Sequence, residues 1–310
     1  MAELNLSELL LRLESPEAAI LADEKSYSER IREIAGTVVD DKAIRLVLLA
    51  GPSGSGKTTT ANLIADAVRA LGEEALVVSL DDFYRAQDDK DYPRTPDGKL
   101  DYESPEALDL CKLSFTLSRV VAGESFEVPK YDFKIGAPTE LRKYPPMPDG
   151  CVIIEGLHAL NPKISASLPR EQILKTFVSV STNINEGEER IISGRKIRFV
   201  RRLVRDSIYR GSDAERTLSL WREVLAAEDV YLYPYKTSAD IAFNTFHSFE
   251  LSVLRDYALS LITEEIAERE PYAKTVREAL KKIPSIKEQL VPDTSLIREF
   301  IPGGKYEALY

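Results

Sequence analysis

Residues Gly51-Pro52-Ser53-Gly54-Ser55-Gly56-Lys57-Thr58 fit the spacing G-x-x-x-x-G-K-[ST], a pattern suited to holding a chain of phosphates. The glycines let the backbone curl so that successive N–H groups face phosphate oxygens, and a helix opening after the loop adds its dipole. Lys57 then reaches the β- and γ-phosphates, while the Thr58 hydroxyl can ligate Mg²⁺. The competing reading, a glycine-rich turn without a ligand, is opposed by context: an apolar run precedes the motif and a helical pattern follows it.

Two carboxylate positions could complete a reaction centre. The apolar run 75–80 ends in Asp81-Asp82-Phe83-Tyr84, and the run 151–155 ends in Glu155-Gly156. Carboxyl ends of strands line the ligand crevice of open α/β sheets. An aspartate there can accept a hydroxyl proton, help hold Mg²⁺, or both, and Glu155 suits Mg²⁺ or its bound water. Locally, Asp81 and Asp82 are equivalent, and an Asp pair capping a turn is the structural alternative.

A third feature is basic. Eight cationic residues, Arg190, Arg195, Lys196, Arg198, Arg201, Arg202, Arg205 and Arg210, lie within one short stretch. Arg198, Arg201, Arg202 and Arg205 share one helical face, with Phe199, Val200, Leu203 and Val204 on the apolar side. Such a helix can present guanidinium groups to a phosphate and, on closing, exclude water. An RNA-binding face is the rival reading. A solvated face paired with Glu188, Glu189 and Asp206 is expected for Arg190 and Arg195.

Short apolar runs at 44–50, 75–80, 151–155, 176–181 and 239–243 alternate with helical stretches, the signature of a parallel sheet with crossover helices. After Lys57, residues Ala61, Ile64, Ala65, Val68 and Leu71 form one apolar face before Gly72. Ser104-Pro105-Glu106 supplies an N-cap, a proline and an acid for a helix running to Gly123. Residues 1–43 read as short helices, with capping pairs Asn5/Glu8 and Ser26/Glu29 and a stop at Gly36. Their expected role is packing or oligomerisation. Residues 263–310 are a charged helical stretch and a Pro/Gly-containing tail expected to wrap the core or meet a neighbouring subunit.

The 310 residues are 44% apolar and 30% charged, ordinary for a globular chain of one or two domains. A net charge of −10, from 41 Lys and Arg against 51 Asp and Glu, argues against a surface devoted to nucleic acid or anionic lipid. Cys111, Cys151, His158 and His247 lack zinc-site spacing, so both thiols read as core residues in a reducing compartment. No basic segment followed by an apolar stretch opens the sequence and no apolar run of about 18 residues occurs, which points to the cytoplasm.

Together, Gly51 to Thr59, Asp81 to Tyr84, Pro129-Lys130-Tyr131-Asp132-Phe133, Glu155-Gly156 and Arg205-Asp206 with Arg210-Gly211 resemble the uridine kinase and phosphoribulokinase family. They follow family order across about residues 44–262. The Ser295-Leu296-Ile297-Arg298-Glu299-Phe300 tail and the insertion before the arginine helix resemble a bacterial group described as uridine kinase-like. The resemblance implies an α/β fold, a P-loop NTPase-type three-layer sandwich with a mostly parallel central sheet. It adds an arginine-bearing lid at about 186–212, and helical N- and C-terminal extensions flank the domain. It further implies that Gly51, Ser53, Gly54, Ser55, Gly56, Lys57, Thr58 and Thr59 bind the nucleotide and that Asp81 is the catalytic base. Thr58, Asp81 and Glu155 would serve Mg²⁺, and Arg205 and Arg210 the transition state. Tyr84, Glu103, Tyr131, Phe133 and Arg205 would contact the acceptor.

Three family positions that read the base fall here on Gly136, Ser212 and about Leu220, and the usual ribose-binding Asp is replaced by Glu103. A site that has lost such hydrogen bonds has relaxed or redirected specificity. The expected activity is therefore ATP- and Mg²⁺-dependent transfer of the γ-phosphoryl group to the 5′-hydroxyl of a uridine- or cytidine-like nucleoside, or of a broader set. The rivals are a kinase of a sugar phosphate or other small alcohol, and a non-catalytic nucleotide-sensing or RNA-binding module. The partner implied is a small-molecule acceptor rather than a membrane or nucleic acid, with a homo-oligomer compatible with the extensions.

Overall fold

The computed structural model describes residues 2–95 and 97–309. The chain starts with strand β1 (Ala2–Asn5) and helices α1 (Leu6–Arg12) and α2 (Pro16–Asp40). Asn5 caps α1 by accepting from the Ser7 N–H at 3.0 Å. The second expected cap and the stop at Gly36 do not operate, because Ser26, Glu29 and Gly36 lie inside α2. One long helix wins over several short ones because its buried stripe, Tyr27, Ile31, Ile34 and Val38, continues past both signals.

The five expected strands all join one sheet. They are β2 (Leu46–Ala50), β3 (Ala75–Ser79), β6 (Cys151–Glu155), β7 (Ile173–Ser179) and β10 (Ile241–Asn244), in the order β10-β7-β2-β6-β3 and parallel throughout. Every residue of β2 is buried. Its side chains alternate between two layers: Val47 and Leu49 pack in one apolar cluster, Leu46, Leu48 and Ala50 in the other. The larger cluster includes α2, α3 (Lys57–Ala70), α6 (Gly194–Arg210), α7 (Ala214–Tyr231), α8 (Glu250–Leu261) and α10 (Pro271–Lys281). The smaller holds α4 (Leu110–Val121) and the short α5 (Pro162–Ser165). Helix α9 (Glu264–Arg269) precedes α10. The result is the three-layer α/β sandwich.

Register at the carboxyl edge matters most for function. Glu155 lies opposite Ser79 on one side and Leu49 on the other. Three chain segments therefore emerge side by side: the glycine-rich loop after β2, Asp81 after β3, and Glu155 at the end of β6.

The helix expected from Ser104 is interrupted. Ser104 caps a single 3₁₀ turn, and α4 begins later under Asp109, which accepts from the Lys112 N–H at 2.9 Å. Between them Leu108 extends to pair with Tyr84, and that bridge ties the segment after β3 to the wall of the crevice. A hairpin, β4 (Phe126–Asp132) and β5 (Ala137–Tyr144), adds a further wall. The insertion before the arginine helix forms β8 (Thr182–Glu186) and β9 (Glu189–Ile192), which make a three-stranded sheet with β1.

Residues 282–309 run over the larger cluster, where Leu296, Ile297, Phe300 and Ile301 are fully buried. Cys151 is buried, but Cys111 is exposed on α4, against the expectation that both are core. No described helix is long and apolar enough to cross a membrane.

Candidate active site

The glycine-rich loop connects the buried end of β2 to α3. Gly54 (φ +70°) and Gly56 (φ +85°) take left-handed conformations that other residues adopt only with strain. Three successive carbonyls are held from behind: Ser53 O accepts from Arg198 Nη1 at 2.7 Å, Gly54 O from Arg201 Nη1 at 3.3 Å and Ser55 O from the Thr245 hydroxyl at 2.8 Å. The Ser55 hydroxyl is buried without a hydrogen-bond partner among the described residues, and Lys57 Nζ donates to Pro52 O at 3.2 Å across the loop.

The two aspartates after β3, equivalent in sequence, are not equivalent in space. Asp82 is buried and spent on structure: it accepts from Arg142 at 2.5 Å and from the Tyr131 N–H at 3.3 Å, and pairs with Lys130 at 3.3 Å. Asp81 keeps an exposed face in the crevice. Desolvation by the surrounding protein raises its pKa, against the pull of Lys57, Arg210 and Arg205. Glu155 is buried beside it, its pKa pushed up to about 7 by desolvation, and its Oε1 lies 3.4 Å from the Thr58 hydroxyl.

The four arginines expected on one helical face, Arg198, Arg201, Arg202 and Arg205, divide into two sets. Arg198 and Arg201 are fully buried, paired with Glu228 and Glu250, and clamp the loop. Arg202, Arg205 and Arg210 gather on Asp206, at 3.1, 2.8 and 3.3 Å. Burial alone would raise the pKa of Asp206, but these three cations hold it below the usual carboxylate value. Arg202 also donates to the Ser53 hydroxyl at 3.0 Å. Arg190 and Arg195 pair with Glu3 and Asp229 rather than with the acids nearest in sequence.

A cavity of about 760 Å³ opens beside the loop. Tyr84, Glu103, Tyr131 and Phe133 all line it, with Arg202 at its border with the loop. Tyr84, Tyr131 and Phe133 form an aromatic cluster with ring centroids 5.0–6.2 Å apart. Glu103 has its pKa pushed up to about 7 by desolvation, opposed by Arg202. Arg205 is placed with Asp206, and it is not among the cavity's lining residues.

The departures from the family pattern acquire a geometry. Leu220 lines the cavity from α7, and Ser212 is occupied with the Thr217 hydroxyl at 3.3 Å. Gly136 has φ +75°, where any side chain is strained, and a Cβ there would push aside the end of Gln87, whose Cδ would stand 2.8 Å away. Gln87 is thus the amide that reaches the cavity there. The β8–β9 insertion lines none of the cavity. Sequence reasoning missed Gln87, Arg216 and the β4–β5 wall, although the alternation in Phe126-Glu127-Val128 was a legible strand signal. Glu228 and Glu250 had no local signal at all.

The sequence model described as the phosphoribulokinase / uridine kinase family matches residues 46–252. The chain is similar to a uridine kinase of Halobacterium salinarum, 28% identical over 197 residues that cover 62% of this chain and 76% of that protein. It is similar also to a uridine kinase of Lactobacillus johnsonii, 27% identical over 197 residues that cover 63% and 84%. A solved structure from Silicibacter sp. TM1040, described as a candidate fructose transport system kinase, shares the fold with a TM-score of 0.50 at 20% identity, over 69% of this chain and 98% of that one.

Proposed function

We propose that this chain, which belongs to the phosphoribulokinase/uridine kinase family, transfers the γ-phosphoryl group of ATP to the 5′-hydroxyl of a nucleoside. The observation that carries this reading is the placement of Asp81. Among the described residues it is the carboxylate of its pair without an ion pair, and it lies in the field of Lys57, Arg205 and Arg210. Though it does not itself line the aromatic cavity, it is close enough to act on Tyr84 and Glu103, which do and which can hold a flat base there.

Asp81 orients the acceptor hydroxyl and takes its proton. A carboxylate whose pKa is raised by burial is a stronger base than a free one. Lys57 and the N–H groups of the loop bind the phosphates, and Arg205 and Arg210, released from Asp206 onto the transferring group, meet the charge that develops there. Glu103 accepts from the sugar hydroxyls, and the aromatic cluster excludes water from the cavity.

Thr58, Asp81 and Glu155 suit Mg²⁺ in part. They offer one hydroxyl and two carboxylates, and the buried Glu155 has its pKa raised, which a divalent cation would reverse. Among the described residues no cluster of three or more His, Cys, Asp and Glu could hold a metal alone. Phosphate and water oxygens would complete the shell, as Mg²⁺ prefers. Bound there, Mg²⁺ neutralises charge on the phosphates.

ADP release measured over a panel of nucleosides, pantothenate and sugar phosphates tests the reading. Stimulation is expected to be largest with a nucleoside, and no stimulation by any acceptor would overturn it. A sugar-phosphate acceptor is the second reading, favoured by Arg202 and Arg216 in the cavity wall, and the same panel separates the two.

A further inference from the structure

The C-terminal tail meets the phosphate loop from the side of the extensions. Helix α3 has Gly56 as its N-cap, which offers no side chain to the first N–H groups of the helix. The buried Thr59 is met instead by Glu299: Oε2 accepts from the Thr59 N–H at 3.2 Å and from its hydroxyl at 2.9 Å. Glu299 stands 240 residues further along the chain and is 5% exposed. A carboxylate is the favoured group at this end of a helix.

The contact is built in rather than incidental. Leu296, from the same segment, packs on Gly56 so closely that a Cβ there would stand 2.5 Å from Leu296 Cδ1. Arg298 donates to Glu288 O at 2.9 Å and to Val291 O at 2.7 Å, holding the tail in its own turn. On the other extension, Tyr27 bonds the Thr60 hydroxyl at 2.6 Å, and that hydroxyl donates to Gly56 O at 2.6 Å. The turn 56–60 is thus gripped at neighbouring residues by two side chains from outside the kinase domain. Between Gly56 and Thr59 lie Lys57 and Thr58, the residues that face the nucleotide.

We propose that Glu299 is a positioning residue of the nucleotide site. By capping α3 at Thr59 it fixes the direction of the Lys57 and Thr58 side chains, so the C-terminal tail sets the affinity for ATP without touching it. With Thr59 N–H committed to Glu299, the donors left to phosphate are those that precede it in the loop. The proposal rests on the kinase reading above.

Wild type, Glu299→Ala and Glu299→Gln are compared by calorimetric titration with MgATP, by KM for ATP and for the acceptor, and by thermal midpoint. The alanine variant is expected to bind MgATP about tenfold more weakly, the size of one charge-assisted hydrogen bond. Its KM for the acceptor should not move, and glutamine, which keeps an acceptor oxygen, should recover most of the loss. If alanine prevents folding, Glu299→Asp, which retracts the carboxylate by one methylene, carries the same expectation. A wild type that binds no MgATP defeats the kinase reading and this proposal together. A wild type that binds, with an alanine variant of equal affinity and merely lower thermal midpoint, defeats this proposal alone. So does an alanine variant that binds more tightly, which would make Glu299 a competitor of the phosphates.

Discussion

Arg198 and Glu228 form a bidentate ion pair, Nη1 to Oε1 and Nη2 to Oε2 both at 2.8 Å, with each side chain 1% exposed. Both partners also hold Ser53: Arg198 donates to its carbonyl at 2.7 Å, and Glu228 accepts from its N–H at 2.8 Å. The shape of the phosphate loop therefore depends on a charge pair supplied by α6 and α7.

Removing one partner of such a pair leaves an uncompensated buried charge. Arg198→Met or Glu228→Gln is expected to cost about 3–5 kcal/mol in urea unfolding. Replacing both by methionine should cost less than the two single changes added together, because no lone charge remains. Single variants within about 0.5 kcal/mol of wild type would show that the loop does not need the pair.

Asp81 and Asp82 are neighbours with opposite expected phenotypes. Asp81→Asn should lower kcat by about 10²–10⁴-fold while MgATP still binds, the range for losing a general base. Asp82→Asn should lower stability instead, since Arg142 and Lys130 lose their counter-charge. If Asp81→Asn keeps full turnover, the base lies elsewhere; a wild type that binds MgATP but turns over no acceptor would instead favour a non-catalytic nucleotide sensor.

Glu103 and Glu155 both have pKa values pushed up to about 7 by desolvation, from an ordinary 4.5. Between about 4.5 and 7 the folded protein holds protons that the unfolded chain has released, so these groups make stability fall as pH rises through that window. Urea midpoints of the ligand-free protein at pH 5, 6 and 7 should show this slope, and Glu155→Gln should reduce it. In the reaction, the acceptor KM should rise as pH falls below about 7, because an ionised Glu103 accepts through both oxygens, and more strongly, from a diol than the protonated acid does. A Glu103→Gln variant should lack that dependence.

Within the arginine helix, position decides consequence. Arg205→Ala is expected to lower kcat by about 10³-fold, as for an arginine that stabilises a transferring phosphoryl group. Arg190 is half exposed and 3.6 Å from Glu3, so Arg190→Ala should change kcat and stability within error. Equal losses at both positions would mean that charge in the stretch acts collectively.

The long helix α2 and the late start of α4 show where local signals lose to packing. Ser26, Gly36 and Ser104 each carry a valid stop or start signal. A continuous buried stripe overrode the first two, and the Tyr84–Leu108 bridge displaced the third. The five sheet strands were legible because a strand covered on both faces is an unbroken apolar run, a property of adjacent residues.

The sequence alone determined the sheet, the phosphate loop and the family, since each is written in residues close together along the chain. The family resemblance singled out Asp81, but only the tertiary structure shows that Asp82 is held by Arg142 and Lys130 and that Arg198 and Arg201 are buried in ion pairs. It also brings Glu228 and Glu250 to the arginines behind the loop, and Glu299 to Thr59 in the first turn of α3. The reason is physical. A charged side chain becomes a ligand or a clamp according to the partner that neutralises it and the water it loses. Those partners are brought together by folding, from 175 residues away for Ser53 and Glu228 and 240 for Thr59 and Glu299.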